Sequence, residues 1–205
     1  MSAARPLDLA VVARFAELAT DALGAAREEI DALNVYPVPD GDTGTNMFLT
    51  LSAARDALHE AGDQGRTAAL EAFAKGALLG ARGNSGVILA EILGAVVRRL
   101  ARQVEGEPTA VVVAEALQEA TEASYAAVGT PVEGTILTVL RAAGEAAMER
   151  AKAPEPRTGE VLCAAAAAAR EALARTPDQL PVLRDAGVVD VHVHVPQPVG
   201  ASDDE

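Results

Sequence analysis

Apolar residues recur along most of this chain at three- and four-residue steps, the spacing that lays one stripe along a helix. Residues 7–33 carry Val11, Phe15, Leu18, Leu23, Ala26, Ile30 and Leu33 in that register, which predicts a long first helix with this stripe facing the core. Pro37 and Pro39 break the pattern, so 34–42 reads as a loop or extended turn. A second helix is expected to start at 43–45 and to carry Met47, Leu51, Ala54 and Leu58 until Gly62-Asp63-Gln64-Gly65 ends it. Further helices follow over about 66–80, with Leu70, Phe73, Ala77 and Leu78, and about 84–103, with Val87, Ile88, Ile92, Val96 and Leu100. The pattern then predicts helices over 109–127, 135–152, 158–175 and a short 178–186. Gly and Pro punctuate the joints, and no internal repeat is visible. The last stretch changes character: Val191-His192-Val193-His194-Val195 alternates with period two, as a strand does, and an acidic tail follows.

Composition sharpens the fold class. Half of the 205 residues are hydrophobic, yet aromatics make up 2% and there is no Trp. Alanine dominates the apolar set, and alanine favours helices that approach closely. The expectation is an all-α domain over residues 1–190, packed on small residues with Leu, Val and Ile, followed by an atypical strand-like and disordered tail over 191–205. The length suits one domain. No apolar run is long enough for a bilayer, and no basic region followed by an apolar stretch marks the N-terminus, so a cytoplasmic location is expected. Cys163 lies in an Ala-rich run and reads as a small core residue, in keeping with a reducing compartment.

The formal net charge of −13 argues against a nucleic-acid partner, which requires a basic face. It also means that any bound polyanion must find its positive field in metal ions and backbone N–H groups. One segment offers both. Asp40-Gly41-Asp42-Thr43-Gly44-Thr45-Asn46 packs two carboxylates, two hydroxyls and an amide among glycines, just where a helix begins. Paired carboxylates suit Mg2+, which shares its shell with phosphate and water, and Thr45 and Asn46 could point donors at phosphate. A solvated Asp/Gly turn is the plainer alternative. The spacing is not that of an EF-hand, because the fifth, sixth and twelfth positions counted from Asp40 hold Gly44, Thr45 and Leu51.

A second segment, Gly80-Ala81-Arg82-Gly83-Asn84-Ser85-Gly86, lacks the Gly-Lys-Ser/Thr ending of a Walker loop and follows a helix, not a strand. Here Asn84 and Ser85 either cap the next helix or contact phosphate. Gly134-Thr135 opens a third helix in the same manner, with Thr135 as N-cap or ligand contact. Arg82 either meets phosphate or pairs with a surface carboxylate. His192 and His194, at i and i+2, would share one face of a strand and make a metal pair, or lie in a solvated tail.

These segments resemble the signatures of the bacterial fatty acid kinase catalytic subunit. The match is carried by Asn34-Val35-Tyr36-Pro37-Val38-Pro39 running into Asp40-Gly41-Asp42-Thr43-Gly44-Thr45-Asn46-Met47, and by Gly80-Ala81-Arg82-Gly83-Asn84-Ser85-Gly86-Val87-Ile88-Leu89. Glu133-Gly134-Thr135-Ile136-Leu137-Thr138 and Gly187-Val188-Val189-Asp190 follow in the same order. That family's N-terminal domain is similar to the nucleotide-binding subunit of dihydroxyacetone kinase. The resemblance implies an antiparallel eight-helix barrel holding ATP and two Mg2+ at one end. It implies that Asp40 and Asp42 hold the metals, that Thr43, Thr45 and Asn46 line the phosphate site, and that Gly83, Asn84, Ser85 and Gly86 cradle phosphates. It further implies that Gly134, Thr135 and Ile136 approach the nucleotide and that Asp190 lies near its base or sugar.

Two departures are informative. The dihydroxyacetone kinase pattern has another Asp five residues before Asp40 and a His after the Asp-Gly-Asp, where this chain has Val35 and Thr43. That favours the fatty acid branch and leaves the metal shell to water, phosphate or Asn34. The family also continues beyond its Gly-Val-Val-Asp with glycine-rich residues and then middle and C-terminal domains, whereas Asp190 here runs into Val191-His192. The resemblance thus implies transfer of the ATP γ-phosphoryl to a fatty acid carboxylate brought by a fatty-acid-binding carrier protein, and homodimerisation through domains outside this sequence. No general base is assigned, since a carboxylate is already an anion. The alternatives are a dihydroxyacetone-type small-molecule kinase subunit and a non-catalytic nucleotide-sensing module.

Overall fold

The computed structural model describes residues 6–190, and these form an all-α bundle. Seven long helices come first: α1 (Leu9–Leu33), α2 (Thr43–Glu60), α3 (Arg66–Gly80), α4 (Gly83–Ala101), α5 (Thr109–Ala127), α6 (Ile136–Ala151) and α7 (Thr158–Ala174). A single 3₁₀ turn, Gly62–Gln64, joins α2 to α3, and two short helices, α8 (Thr176–Gln179) and α9 (Pro181–Ala186), close the described chain. Where one final helix was expected over 178–186, Leu180 adopts an extended conformation and Pro181 starts a new helix, so the segment is split. The expected strand at Val191–Val195 and the pair His192 and His194 lie outside the described residues.

Each long helix packs on the next in sequence, with α2 also against α4 and α5 also against α7. Short joints between successive neighbours make them antiparallel. Among the described residues no comparable packing joins α1 to α7, which leaves a seam between them. Alanine sets the spacing of the interior: Ala16, Ala54, Ala69, Ala77, Ala114 and Ala147 are wholly or almost wholly buried, wedged among Leu58, Leu70, Phe73, Val112 and Val161. Polar ties hold the ends. Arg66 donates from its guanidinium to the carbonyls of Leu7 (2.9 Å) and Leu100 (2.8 Å), and the Leu7 N–H donates to Gln103 Oε1 (3.0 Å). Arg99, buried on α4, is clasped by Glu107 and Glu115.

The seam explains where the hydrophobic pattern misleads. Val12, Ala16, Thr20, Ala26 and Ile30 form the buried stripe of α1, so Ala26 and Ile30 of the expected stripe are inside, whereas its Val11, Phe15 and Leu18 are half-exposed or more. With α2 as its one large neighbour, α1 turns only part of its apolar arc inward. The remainder lines an apolar cleft of about 650 Å³, where Phe15, Leu18 and Leu23 face Leu89, Ile92 and Val139. Leu78 and Val87 are likewise exposed. Cys163 is exposed, not core, because α7 buries only the face that carries Val161, Ala165 and Ala172.

Replacing Leu70 by Ala, at 1% exposure, is expected to cost about 2–5 kcal/mol in urea unfolding. Phe15→Ser, at 63% exposure, should cost about 0.5 kcal/mol or less. A loss at Phe15 as large as at Leu70 would place the α1 stripe in the core after all.

Candidate functional site

An up-and-down order brings the N-termini of α2, α4 and α6 to one end of the bundle. The sequence segments singled out above are the turns at that end. The start of each of these helices carries backbone N–H groups with no intrahelical acceptor and a partial positive charge, a setting suited to anions. No side chain of the N-cap residue closes any of the three: Asp42, Arg82 and Thr135 occupy the cap positions without a cap hydrogen bond. The Thr135 hydroxyl donates to the Val132 carbonyl instead (2.7 Å).

The first two segments meet in a small cleft of about 40 Å³ lined by Pro37, Val38, Asp40, Asp42, Thr43, Gly83, Asn84 and Ser85. Beside it lies a cleft of about 360 Å³ lined by Tyr36, Val87, Ile88, Val128, Thr135 and Ile136, among others. Pro37 and Asn84 line both, so the two clefts adjoin. Small-molecule sites usually occupy roughly 300–1,000 Å³ and are mostly apolar with a few polar groups, which describes the larger cleft. Asp40, Asp42, Thr43, Gly83, Asn84, Ser85, Thr135 and Ile136 are therefore brought together at one end.

Asn46 and Gly86 line neither cleft but join the segments from behind. A Cβ on Gly83, whose φ is +56°, would lie 2.3 Å from Asn46 Nδ2. Only glycine allows the turn into α4 to rest on α2 so closely. Thr50, fully buried, donates to the Asn46 carbonyl (2.7 Å) and accepts the Arg82 N–H (3.3 Å), and Gly86 packs against it. Arg82 pairs with no carboxylate among the described residues. Its guanidinium turns back to the carbonyls of Ala81 (2.9 Å) and Leu79 (3.5 Å) at the end of α3. Thr45 also departs from expectation. Its N–H (3.1 Å) and hydroxyl (2.7 Å) both donate to the carboxylate of Asp31 in the last turn of α1, so its donors point to α1 and not to the cleft.

Gly134 and Asp190 form the support of the third segment. Gly134 has a φ of +83°, and a Cβ there would lie 2.9 Å from the Thr176 carbonyl oxygen and 2.9 Å from Leu180 Cβ. Thr176 also accepts the Asp190 N–H (3.0 Å). Asp190 is thus buried behind the Gly134 turn and lines neither cleft, unlike its expected place near a base or sugar. From the other side the Gly134 N–H donates to Thr138 Oγ1 (2.9 Å), which donates to Glu133 Oε2 (2.6 Å). Arg141 donates to both Glu133 oxygens (2.9 and 2.8 Å), and the Tyr125 hydroxyl reaches Glu133 at 3.3 Å. Burial pushes the Glu133 carboxyl up, but the hydrogen bonds from Thr138 and Arg141 and the Arg141 charge outweigh it and leave the pKa below the usual carboxylate value.

Asp40 and Asp42 are exposed at the cleft, and among the described residues no group of three or more His, Cys, Asp or Glu is gathered to hold a metal. Asn34 holds the loop from behind. It is buried, its Nδ2 donates to Asp40 Oδ1 (3.0 Å) and to the Val38 carbonyl (3.1 Å), and its Oδ1 has no partner among the described residues. Two carboxylates on one cleft are hard oxygen donors of the kind Mg2+ prefers, with water and phosphate to complete its shell. The donor set fits that ion. Asp31, Thr50 and Thr138 support the site in ways the motifs alone did not assign. Asp31 has a sequence signal, an acid in the last turn of a helix, where the helix end disfavours it.

A family model described as DAK2 domain matches residues 37–196. An uncharacterized protein of Staphylococcus aureus strain USA300 is 44% identical over 166 residues, covering 78% of this chain and 29% of that protein. The same identity and coverage relate the chain to uncharacterized proteins of strains NCTC 8325 and N315. The chain spans 29% of the length of these relatives.

Because the folded Glu133 pKa is depressed, the stability it contributes is present above the unfolded carboxylate value of about 4.3 and is lost as pH falls through the lower folded value. The gap in thermal midpoint between the wild type and Glu133→Gln should therefore be steady from neutral pH down to about 5 and close in more acid solution. A gap that widens as pH falls would contradict the network.

Proposed function

Because the chain belongs to the DAK2 domain family, a kinase-related nucleotide-binding module, we propose that it is the ATP-binding domain of a cytoplasmic fatty acid kinase. In this reading it transfers the γ-phosphoryl of ATP to a fatty acid carboxylate presented by a fatty-acid-binding partner protein. The observation that carries the nucleotide part is the convergence of two helix N-termini with Asp40 and Asp42 on one small cleft that adjoins a larger, mostly apolar one. The small cleft suits phosphates, and the larger one, with Tyr36, Val87 and Ile136 among its walls, suits a base and sugar.

Phosphoryl transfer is mainly positioning and charge neutralisation. The N–H groups at the starts of α2 and α4 would hold the polyphosphate, with Thr43, Asn84 and Ser85 at the cleft wall. Asp40 and Asp42 would hold Mg2+, with Asn34 bonded to Asp40 behind them, and the ion would neutralise charge on the phosphate oxygens. The acceptor assignment rests on the motif resemblance and on the chemistry of the walls. Among the described residues lining the two clefts the carboxylates are Asp40 and Asp42, both given to metal, and there is no His, Glu or Lys to take a proton. An acceptor that is already an anion needs none.

Calorimetry with ATP should show binding in Mg2+ that chelator largely abolishes. Asp42→Asn should lose most of that metal-dependent affinity while keeping the wild-type circular dichroism. Equal affinity with and without metal would end the metal role of the two carboxylates. With ATP bound, conversion of ATP to ADP with formation of acyl phosphate is expected when oleate is supplied on a carrier protein together with the remainder of the longer relatives. Turnover on dihydroxyacetone instead would move the acceptor to small hydroxyl compounds, and ATP binding without transfer to either would point to nucleotide sensing.

A further inference from the structure

We propose that Asp31 is the positioning residue of the phosphate-facing end of α2: by capping that helix in place of Asp42, it keeps the Asp42 carboxylate available to a metal ion. The inference rests on the metal-dependent nucleotide reading above. In an ordinary helix the side chain at the N-cap accepts the N–H two or three residues ahead. Here Asp42 holds the N-cap position of α2, and Thr45, three residues on, presents the N–H that Asp42 would take. Asp31, fourteen residues upstream, takes it instead with Oδ1 (3.1 Å), while Oδ2 accepts the Thr45 hydroxyl (2.7 Å). Asp42 makes no cap hydrogen bond and lines the small cleft.

Two further observations point the same way. An acid in the last turn of α1 is misplaced with respect to its own helix, whose C-terminal end repels negative charge and carries no basic residue in that turn. The same carboxylate is well placed with respect to α2, whose N-terminal end attracts it. The Asp31 carbonyl also lies beneath the metal loop: a Cβ on Gly41, between the two aspartates, would be 3.6 Å from it. Asp31 thus touches the loop with its main chain and the helix start with its side chain. Without its carboxylate, the Thr45 N–H would be left for the residue already at the N-cap, and Asp42 would fold back to cap α2 and leave the cleft.

The test is a cycle of Asp31→Ala and Asp42→Asn, read by calorimetry of ATP in Mg2+ and in chelator. Asp31→Ala is expected to weaken Mg2+-dependent ATP binding about five- to tenfold, the scale of a lost cap, and to leave the weak binding in chelator unchanged. In the Asp42→Asn background it should do nothing more, since the carboxylate it keeps in place is gone. Thr45→Val, which keeps the N–H and loses the hydroxyl, should act in the same direction but less, and provides the measurement should Asp31→Ala fail to fold. Independent, multiplicative losses from Asp31→Ala and Asp42→Asn would overturn the positioning role, as would equal losses with and without metal, or wild-type affinity in both Asp31→Ala and Thr45→Val. A wild-type chain whose ATP binding ignores Mg2+ would overturn the site reading first and this role with it.

Discussion

The functional end of this domain depends on the field of helix N-termini that no N-cap side chain closes. In a chain with a net charge of −13, a binding site for an anion has few cations to draw on, and Arg82, the basic residue nearest the clefts in sequence, is turned toward α3 carbonyls. Antiparallel order solves this by parity. Every second helix starts at the same end, so α2, α4 and α6 deliver their free N–H groups to one place without any basic side chain. The cost is that three helix starts lack the usual cap, and the fold offsets it locally: Asp31 serves α2, while Thr50 and the Glu133–Thr138 pair fix the chain around α4 and α6.

The contacts behind the clefts are close and rigid, and this is where the glycines act. Gly83 lets the start of α4 rest on Asn46, and Gly134 lets the start of α6 rest on Thr176 and Leu180. Each glycine sits against its neighbour too closely for a Cβ, so a side chain at either would push apart the segments that meet there. The site is therefore held by hydrogen-bonded packing beneath it, and the exposed carboxylates Asp40 and Asp42 sit on that support.

Much of this was legible in the sequence because the features are local. Helix limits follow from Pro, Gly and apolar spacing, and the expected 109–127 helix is found as Thr109–Ala127. The residues that share the small cleft are consecutive in two short motifs. What the sequence concealed is long-range. Which side of α1 faces inward depends on the seam between α1 and α7, so Phe15 and Leu18 looked like core; Cys163 misled for the same reason on α7. Thr45 looked like a phosphate donor because nothing in its motif shows that Asp31 already engages it. Asp190 is buried with its N–H bonded to Thr176 behind the Gly134 turn, a long-range contact that its motif does not show.

The seam has a consequence for motion. A helix with one large neighbour is a natural unit of local opening, because detaching it exposes less apolar surface than detaching a helix packed on two sides. Here α1 is such a helix, tethered at its start through Leu7 to Arg66 and Gln103 and at its end through Asp31 to Thr45. Its far tether is part of the support of the end where the two clefts lie. Occupancy at that end and the hydrogen-exchange protection of α1 are thereby linked, and a ligand that steadies the start of α2 also slows the fraying of a helix whose opposite end lies a full bundle length away.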